Sequence, residues 1–338
     1  MAEFHRVVAS GPGYSTVPEG TLLALKISAP DRLSRERMAI EAEILLKLQE
    51  VEPAPPCPRL LDVVEAGDRI AGMVMEWCPT DLERWWGNVL ARRDAVEPLC
   101  RALAEVCRRA AEFHTFMAAR GIRSVHADIK PRNVVLSNDG RWLLADFGAS
   151  ESRPIEEEAW EATSIVLGTE NFVAPEMLFN ARKHVPEAMD TWSVALSLLV
   201  LMRLRTARLQ GRPSPPEGTH SPVFRCQRTT DVLAVRDLDP GRFSARDLDP
   251  AAFPTPLRLP DPDRAAVREA LSGLFFDPAR EEALAVHVLA VLDRALAVDP
   301  ARRYVHAEDL ADAFDGIVAR FWELEGSLSI PAPLPPHL

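Results

Sequence analysis

Lysine is scarce in this chain of 338 residues, and arginine supplies almost all of the positive charge. Only four of the 39 basic residues are lysines, which we interpret as a coding bias rather than as chemistry. Cysteine is also rare, and the five cysteines form no C-x-x-C pair and leave one over. This usage is typical of a reducing compartment, and it argues against a disulfide framework or a structural zinc site.

The chain also lacks a long apolar segment. Its most apolar stretch, residues 194–202, is far too short to span a bilayer. The N-terminus carries Glu3 and no apolar run, so it is unlike a secretory signal. The net charge of −11 disfavours nonspecific nucleic-acid binding. We therefore expect a soluble, cytoplasmic protein with no nucleic-acid partner and no membrane partner.

Apolar periodicity predicts a β-rich first part and a helical remainder. Residues 4–29 alternate short apolar runs with turn residues, which predicts a hairpin leading to a further strand at 22–27. Strands are also predicted over 60–65 and 70–77, and helices over 34–48, 98–120, 188–204, 263–276, 281–297 and 306–323. Residues 205–262 contain ten prolines and no sustained apolar periodicity, which predicts an irregular insertion. We expect residues 326–338 to form a proline-rich tail.

Residues 126–133 read His-Ala-Asp-Ile-Lys-Pro-Arg-Asn and carry the strongest chemical signal of the chain. Asp146-Phe147-Gly148 follows them. Together the two segments supply an acceptor for a hydroxyl proton and oxygen ligands for magnesium, which phosphoryl transfer needs. Their spacing resembles the H-R-D-x-x-x-x-N and D-F-G motifs of the eukaryotic-type serine/threonine protein kinases.

This resemblance implies an α+β fold of two lobes, a small β-rich N-lobe over residues 1–78 and a larger, mainly α-helical C-lobe over residues 79–325. It also implies ATP and Mg²⁺ as cofactors and a protein substrate. In the family, residues at these positions have the following roles: Asp128 would accept the hydroxyl proton, Lys130 would offset charge on the phosphoryl group, and Asn133 and Asp146 would hold magnesium. Lysine at position 130 favours serine or threonine as the acceptor.

Lys26 ends a Leu-Ala-Leu-Lys run and resembles the family lysine that contacts the α- and β-phosphates. In the family this lysine lies on the third strand and pairs with a glutamate of the next helix. Glu41 is the best match for that glutamate, and Glu43 is the second. The alternative is a solvated lysine at a strand end, beside a surface acid.

Residues 11–17 resemble a reduced form of the loop that covers the nucleotide phosphates. Gly11 and Gly13 would let backbone N–H groups approach phosphate oxygens, and Val17 completes the matched segment. Thr16 stands where the family has a third glycine. An ordinary Gly-Pro-Gly turn is the alternative.

Residues 74–82 resemble the hinge between the kinase lobes. Met75 would lie behind the adenine as the gatekeeper, and the backbone groups of Glu76 and Cys78 would hydrogen-bond to the base. Ala24 and Val135 would enclose the adenine ring from the two sides. Each of these apolar residues has an alternative role as plain core.

Further matches follow in the family's order. Thr169 would brace Asp128 and Lys130, and residues 174–176 read Ala-Pro-Glu, the end of the activation segment. Asp190 resembles the aspartate that holds the catalytic-loop backbone, and Arg303 the arginine that pairs with the Ala-Pro-Glu glutamate. These elements argue against the small-molecule phosphotransferases, which share the Asp-Asn loop.

Ala127 departs from the family, which has an arginine there that pairs with a phosphorylated activation-loop residue. Alanine cannot pair with a phosphate. Either the activation loop is ordered without phosphorylation, or the activity is regulated elsewhere in the protein. Four glutamates within residues 156–161 favour basic substrates, mimic a phosphate or form a solvated acidic face. A catalytically silent pseudokinase, acting as a scaffold or allosteric partner, is the alternative function.

The predicted insertion contains a short repeat. Residues 236–243 recur as residues 246–253 with a period of ten, and both copies contain Asp-Pro, a signal for a helix start. Two capped turns that pack Leu and Phe on the helical lobe are one interpretation. A docking site for a partner or substrate within residues 205–262 is the other.

Overall fold

The computed structural model describes residues 3–9, 17–67, 69–155, 172, 174, 186–212, 259, 261–297 and 300–326. Gly11, Gly13 and Thr169 lie outside the described residues. So do the acidic segment 156–161 and the repeats within 236–253. Both candidate catalytic segments, 126–133 and 146–148, are described in full.

The first part of the chain folds into a four-stranded antiparallel sheet. Its strands are β1 (Glu3–Val8), β2 (Leu22–Ile27), β3 (Leu60–Ala66) and β4 (Arg69–Glu76), in the spatial order β1-β2-β4-β3. Because β1 pairs directly with β2, the described part of residues 3–29 forms one hairpin. The prediction of a hairpin followed by a further strand is therefore wrong for these residues, and Lys26 lies on the second strand instead of the third.

Strand pairing decides which side chains of β2 point inward. Directly opposed residues share a face of a sheet, so Ala24 and Lys26 lie on the same face as Met75 and Met73, their partners on β4. Glycine at position 72 of β4 allows the two strands to approach, because a β-carbon there would lie 2.8 Å from the Lys26 carbonyl oxygen. The sequence of β4 thus helps to set the position of Lys26.

Helix α1 (Arg32–Leu48) packs against this inner face. The helix begins at Asp31, whose carboxylate accepts the Ser34 amide hydrogen at 2.8 Å, as an N-cap residue does. Its buried residues recur at helical spacing and form one stripe: Met38, Glu41, Ala42, Ile44, Leu45 and Leu48. This stripe confirms the predicted helix and turns Glu41 toward the interior.

The remainder is mainly helical, with α2 (Leu82–Val89), α3 (Val96–Ala118), α4 (Pro186–Leu209), α5 (Asp261–Leu271), α6 (Pro278–Ala295) and α7 (Ala307–Glu325). Two small antiparallel sheets lie among these helices. One contains β5 (Thr80–Asp81), β7 (Val134–Leu136) and β8 (Trp142–Leu144), and the other contains β6 (Ile122–Val125) and β9 (Glu151–Pro154). The loops between their strands, 126–133 and 145–150, carry the two candidate catalytic segments.

The predicted start of the insertion at residue 205 is wrong, because α4 continues to Leu209. Arg205 is buried there, and its guanidinium donates to the carbonyl oxygens of Leu90, of Arg92 at 2.7 Å and of Ala270 at 2.7 Å. These tertiary hydrogen bonds, which local periodicity does not reveal, hold the last turns of α4 in the helical part.

The helix predicted over residues 263–276 begins at Asp261 and already ends at Leu271. Gly273 follows with a φ of +78°, a left-handed conformation that favours glycine and stops the helix. The next helix begins at Pro278 after Asp277, whose carboxylate accepts the Ala279 amide hydrogen at 2.9 Å. Proline in the first turn and a capping aspartate are a normal helix start.

One large apolar core joins the inner side of the sheet to the helices. Its largest fully buried side chains include Trp86, Phe113, Trp192 and Phe314. The thiols of Cys57, Cys78, Cys100 and Cys107 are free. Among the described helices, none has both the length and the hydropathy that crossing a membrane requires.

Candidate active site

Lys26 lies between two carboxylates. Its ammonium donates to Glu41 Oε2, and to Asp146 Oδ1 at 2.9 Å. Strand β2 brings the lysine, α1 brings the glutamate, and the loop after β8 brings the aspartate. Glu43, the second candidate partner, is exposed and pairs with Lys47 at 2.7 Å along the helix. The structure therefore places Glu41, and not Glu43, against Lys26.

Burial and the charge of the neighbouring groups shift the pKa values of these three side chains in opposite directions. Burial raises the pKa of Glu41 to about 7, although attraction to Lys26 opposes the rise. Burial alone would lower the pKa of Lys26, but the carboxylates of Glu41 and Asp146 outweigh it and raise the pKa. The cation is thus retained in a largely dry site.

Asp146 remains a carboxylate. Burial favours its neutral form, but the ammonium of Lys26, with a smaller contribution from Lys130, holds its pKa below the ordinary value. Its backbone is left-handed, at φ 65° and ψ 66°, which is uncommon for a residue other than glycine. The next residue, Phe147, is fully buried. Its ring centroid lies 4.5 Å from that of His126 and 5.3 Å from that of Phe113.

The catalytic-loop candidates converge on one carboxylate oxygen. Asp128 Oδ2 accepts from Lys130 Nζ at 2.7 Å and from Asn133 Nδ2 at 2.8 Å. The same Asn133 nitrogen also donates to the Asp128 carbonyl oxygen at 2.9 Å. Next to this group, the Ala145 amide donates to the Asn133 carbonyl at 2.8 Å, so Asn133 lies beside Asp146.

A buried aspartate of α4 accepts two hydrogen bonds from the backbone of the 126–133 loop. Asp190 Oδ2 accepts the His126 amide hydrogen at 2.9 Å, and Asp190 Oδ1 accepts that of Ala127 at 3.1 Å. Ala127 has a φ of 65°, a left-handed conformation that costs a residue with a β-carbon about 1–2 kcal/mol. The two hydrogen bonds offset part of this cost and fix the bend that precedes Asp128.

An open cleft lies between the sheet and the segment of Ala145 and Asp146. Its lining is mostly apolar and contains the predicted hinge and base-enclosing residues: Ala24, Met75, Glu76, Cys78 and Val135. Glu41 and Asp146 line it as well. The structure thus brings predicted site residues that are far apart in the sequence, from Ala24 to Asp146, into one cavity.

Val17 is not brought to this cavity. It packs against a small cluster formed by Ala9, Leu23 and Val74. Leu23 alternates with Ala24 along β2, so this cluster lies on the sheet face opposite to Lys26. Arg303 is buried and donates to the carbonyl oxygens of Ala297 at 2.6 Å and Ala188 at 3.1 Å, while its predicted partner Glu176 lies outside the described residues.

Sequence reasoning missed three contacts around the site. His114 of α3 approaches Asp190 with Nε2 2.8 Å from Oδ2. Arg132 forms two hydrogen bonds with Glu83, at 2.8 Å and 3.1 Å. Asn138 Nδ2 donates to the hinge carbonyl of Trp77 at 2.8 Å. No local pattern reports these contacts, because their partners are 76, 49 and 61 residues away.

The described side chains fit a sparse magnesium site. Among them, no three His, Cys, Asp or Glu residues are grouped to hold a metal. Mg²⁺ at nucleotide sites takes only one or two carboxylates, and waters and phosphates complete its shell. Asp146 supplies an anionic carboxylate, and Asn133 directs its amide nitrogen to Asp128, which leaves the amide oxygen for a cation.

Comparison with known proteins shows which sequences this chain resembles. The model of the protein kinase domain family matches residues 13–235. Over 171 residues the chain is 33% identical to the serine/threonine-protein kinase KIN28 of Saccharomyces cerevisiae, which covers 49% of this chain and 49% of that protein. Over 167 residues it is 32% identical to the mitogen-activated protein kinase 15 of Mus musculus, covering 48% of this chain and 28% of that protein.

A third relative is the CBL-interacting serine/threonine-protein kinase 24 of Arabidopsis thaliana, 26% identical over 183 residues. That match covers 54% of this chain and 38% of the plant protein. The chain therefore spans about half, or less, of the length of the relatives that it matches.

Proposed function

The chain belongs to the protein kinase domain family, and from this premise we propose that it transfers the γ-phosphoryl group of ATP to serine or threonine hydroxyls of protein substrates. The observation that carries the proposal is the position of Lys26. Its ammonium joins Glu41 and Asp146 on the wall of the cavity, beside the Asp128 cluster. A buried cation held by two acids is suited to receive phosphate oxygens.

The nucleotide base would occupy the apolar cavity. Ala24 and Val135 would enclose the ring, and the backbone groups of Glu76 and Cys78 would hydrogen-bond to its edge, with Met75 behind it. In that pose the phosphates extend toward Lys26, whose pKa is raised and whose charge is therefore permanent. The loop of Gly11 and Gly13 would cover the phosphates from above, with Val17 at its end.

Magnesium would be held by Asn133 and Asp146. When bound, magnesium would supply positive charge that offsets the negative charge developing on the phosphoryl group. The chain's own contribution is to keep Asp146 ionised through Lys26, and to orient Asn133 through its two hydrogen bonds to Asp128.

Asp128 would position the acceptor hydroxyl and take its proton. Lys130 donates to the same carboxylate and would offset charge on the transferring phosphoryl group. Thr169 would brace both residues. The N-lobe would comprise residues 1–78 and the C-lobe residues 79–325, with the hinge between them at the cavity.

Phosphotransfer from labelled ATP to itself and to generic protein substrates, with and without magnesium, tests this proposal. Asp128→Ala should lower the rate roughly 10²–10⁴-fold, the usual range for a positioned general base. Lys26→Met and Asp146→Asn should also abolish most turnover. Asp312→Ala, which removes an exposed carboxylate on α7, is the matched control and should keep wild-type activity.

Thermal unfolding of every variant separates lost chemistry from lost folding. Activity unchanged in Asp128→Ala would refute the catalytic assignment. If the wild-type protein is stabilised by nucleotide but transfers no phosphate to any substrate, the chain acts instead as a pseudokinase scaffold or allosteric partner.

A further inference from the structure

The turn between β7 and β8 is held rigidly by its own side chains. The Ser137 amide donates to the Arg141 carbonyl at 2.9 Å, and the Arg141 amide donates to Ser137 Oγ at 3.0 Å. Arg141 Nε in turn donates to Asp139 Oδ2 at 2.7 Å. Gly140 completes the turn with a φ of +86°. Asn138 at the tip is therefore presented in a defined orientation.

From this turn Asn138 reaches the hinge. Its Nδ2 donates to the carbonyl oxygen of Trp77 at 2.8 Å. A second connection lies four residues after Trp77 and three residues before Asn138, where β5 pairs with β7 and Asp81 lies opposite Val135. The same hairpin therefore supplies Val135 to the floor of the cavity and supports the backbone that forms its back edge.

Peptide geometry gives this hydrogen bond a consequence for the cleft. In a planar trans peptide the C=O and the next N–H point in opposite directions. The carbonyl of Trp77 is directed at Asn138, so the N–H of Cys78, in the same peptide unit, is directed away from Asn138. Trp77 and Cys78 both line the cavity, and no acceptor among the described residues takes the Cys78 amide hydrogen.

We propose that Asn138 is a positioning residue for nucleotide recognition. By holding the Trp77 carbonyl, it fixes the orientation of the 77–78 peptide and presents the Cys78 N–H to a ring nitrogen on the edge of the base. This inference rests on the proposed function, because it assigns the cavity to adenine. Without the side-chain donor, the peptide is free to rotate, and part of the population presents a carbonyl oxygen to the base instead.

The test measures dissociation constants of ATP and of 1-deaza-ATP, in which C–H replaces the acceptor N1 on the Watson–Crick edge of adenine. Asn138→Ala should weaken ATP binding about threefold to tenfold, the fold-change that corresponds to one net hydrogen bond. Its effect on 1-deaza-ATP should be less than about twofold, since that base makes no use of the Cys78 N–H. The isosteric Asn138→Asp should weaken ATP binding more, because a carboxylate repels the Trp77 carbonyl.

Asn88→Ala is the matched control, since Asn88 is an exposed asparagine on α2, the helix that follows the hinge. It should leave both dissociation constants unchanged. Asn138 variants that lose the same factor for both nucleotides, or lose nothing, would overturn the inference alone. Failure of the wild-type protein to bind ATP would overturn the proposed function, and this inference with it.

Discussion

Asp190 accepts the amide hydrogen of Ala127 at 3.1 Å and thereby holds a residue with a β-carbon in a left-handed conformation. The aspartate is fully buried at the start of α4, and it accepts the His126 amide hydrogen as well. The bend that precedes Asp128 is thus imposed by a tertiary contact rather than by local preference.

Substitution of Asp190 should show how much its hydrogen bonds stabilise the bend at Ala127. Asp190→Asn retains one acceptor oxygen and replaces the other with a donor, so a buried N–H loses its partner. That loss should cost about 1–3 kcal/mol of unfolding free energy. Asp190→Asn should also lower the phosphotransfer rate, because the bend before Asp128 is less well held. Adding Ala127→Gly removes the strain of the left-handed residue and should restore part of that rate.

Denaturant unfolding and initial rates, measured on both single variants and on the double variant, check this prediction. A double variant no more active than Asp190→Asn would show that the carboxylate supports the loop in some other way.

Glu41 predicts a specific dependence of stability on pH. Its pKa is raised by burial from 4.5 to about 7 in the folded protein, so the folded state binds more protons than the unfolded state between these values. Its contribution to stability is therefore fully present below about pH 4.5 and is lost as pH rises through about 7. Glu41→Gln cannot titrate and should lack this loss.

The measurement is the difference in unfolding free energy between wild type and Glu41→Gln, taken across this pH window. The wild type should lose on the order of a few kcal/mol relative to the variant as pH rises. Glu43→Gln, on the exposed face of the same helix, is the matched control and should follow the wild type. A flat difference would mean that Glu41 is already ionised below the window.

Phosphorylation of the activation segment should be dispensable. Because Ala127 offers no guanidinium for a phosphate, the Thr163→Ala/Ser164→Ala variant should retain near-wild-type activity. Both substituted residues lie outside the described residues. Initial rates of phosphatase-treated wild type and variant give the answer. A tenfold loss, about 1.4 kcal/mol in the barrier, would show that another basic residue receives a phosphate.

Residues 213–258 should serve recognition or packing rather than chemistry. The helices on either side of them already contact each other directly, through Arg203 with Asp263 and through Thr206 Oγ1, which donates to the Ala266 carbonyl at 2.7 Å. Replacing these residues with a glycine-serine linker should therefore leave ATP binding and autophosphorylation mostly intact. Nucleotide titration and autophosphorylation assays check this.

The same deletion distinguishes the two interpretations of the repeats. If residues 236–253 form a docking surface, protein substrates should be phosphorylated more slowly while short peptides are unaffected. If the repeats only cover the helical part, the deletion should lower the Tm and expose apolar surface. Loss of ATP binding from a folded deletion variant would place part of the active site in this segment.

Sequence patterns predicted much of this protein because several of its constraints are local. The apolar periodicity of residues 34–48 predicted helix α1, and family resemblance selected Glu41 on it. The spacing from Asp128 to Asn133 predicted two side chains that one short loop brings together, since five residues cannot separate far. Family resemblance supplied the hinge residues, and these do line one cavity with Glu41 and Asp146.

The tertiary structure decided whatever depends on distant parts of the chain. Leu209, and not residue 204, ends α4 because Arg205 finds carbonyl oxygens on two other segments of the chain. Among the described strands Lys26 lies on the second, because β1 pairs with β2 directly. Ala127 adopts its left-handed bend, and Asn138 reaches Trp77, through hydrogen bonds to residues about 60 positions away. Periodicity reports only which face of an element is apolar, whereas the partner of a single polar atom is chosen by the packing of the whole fold.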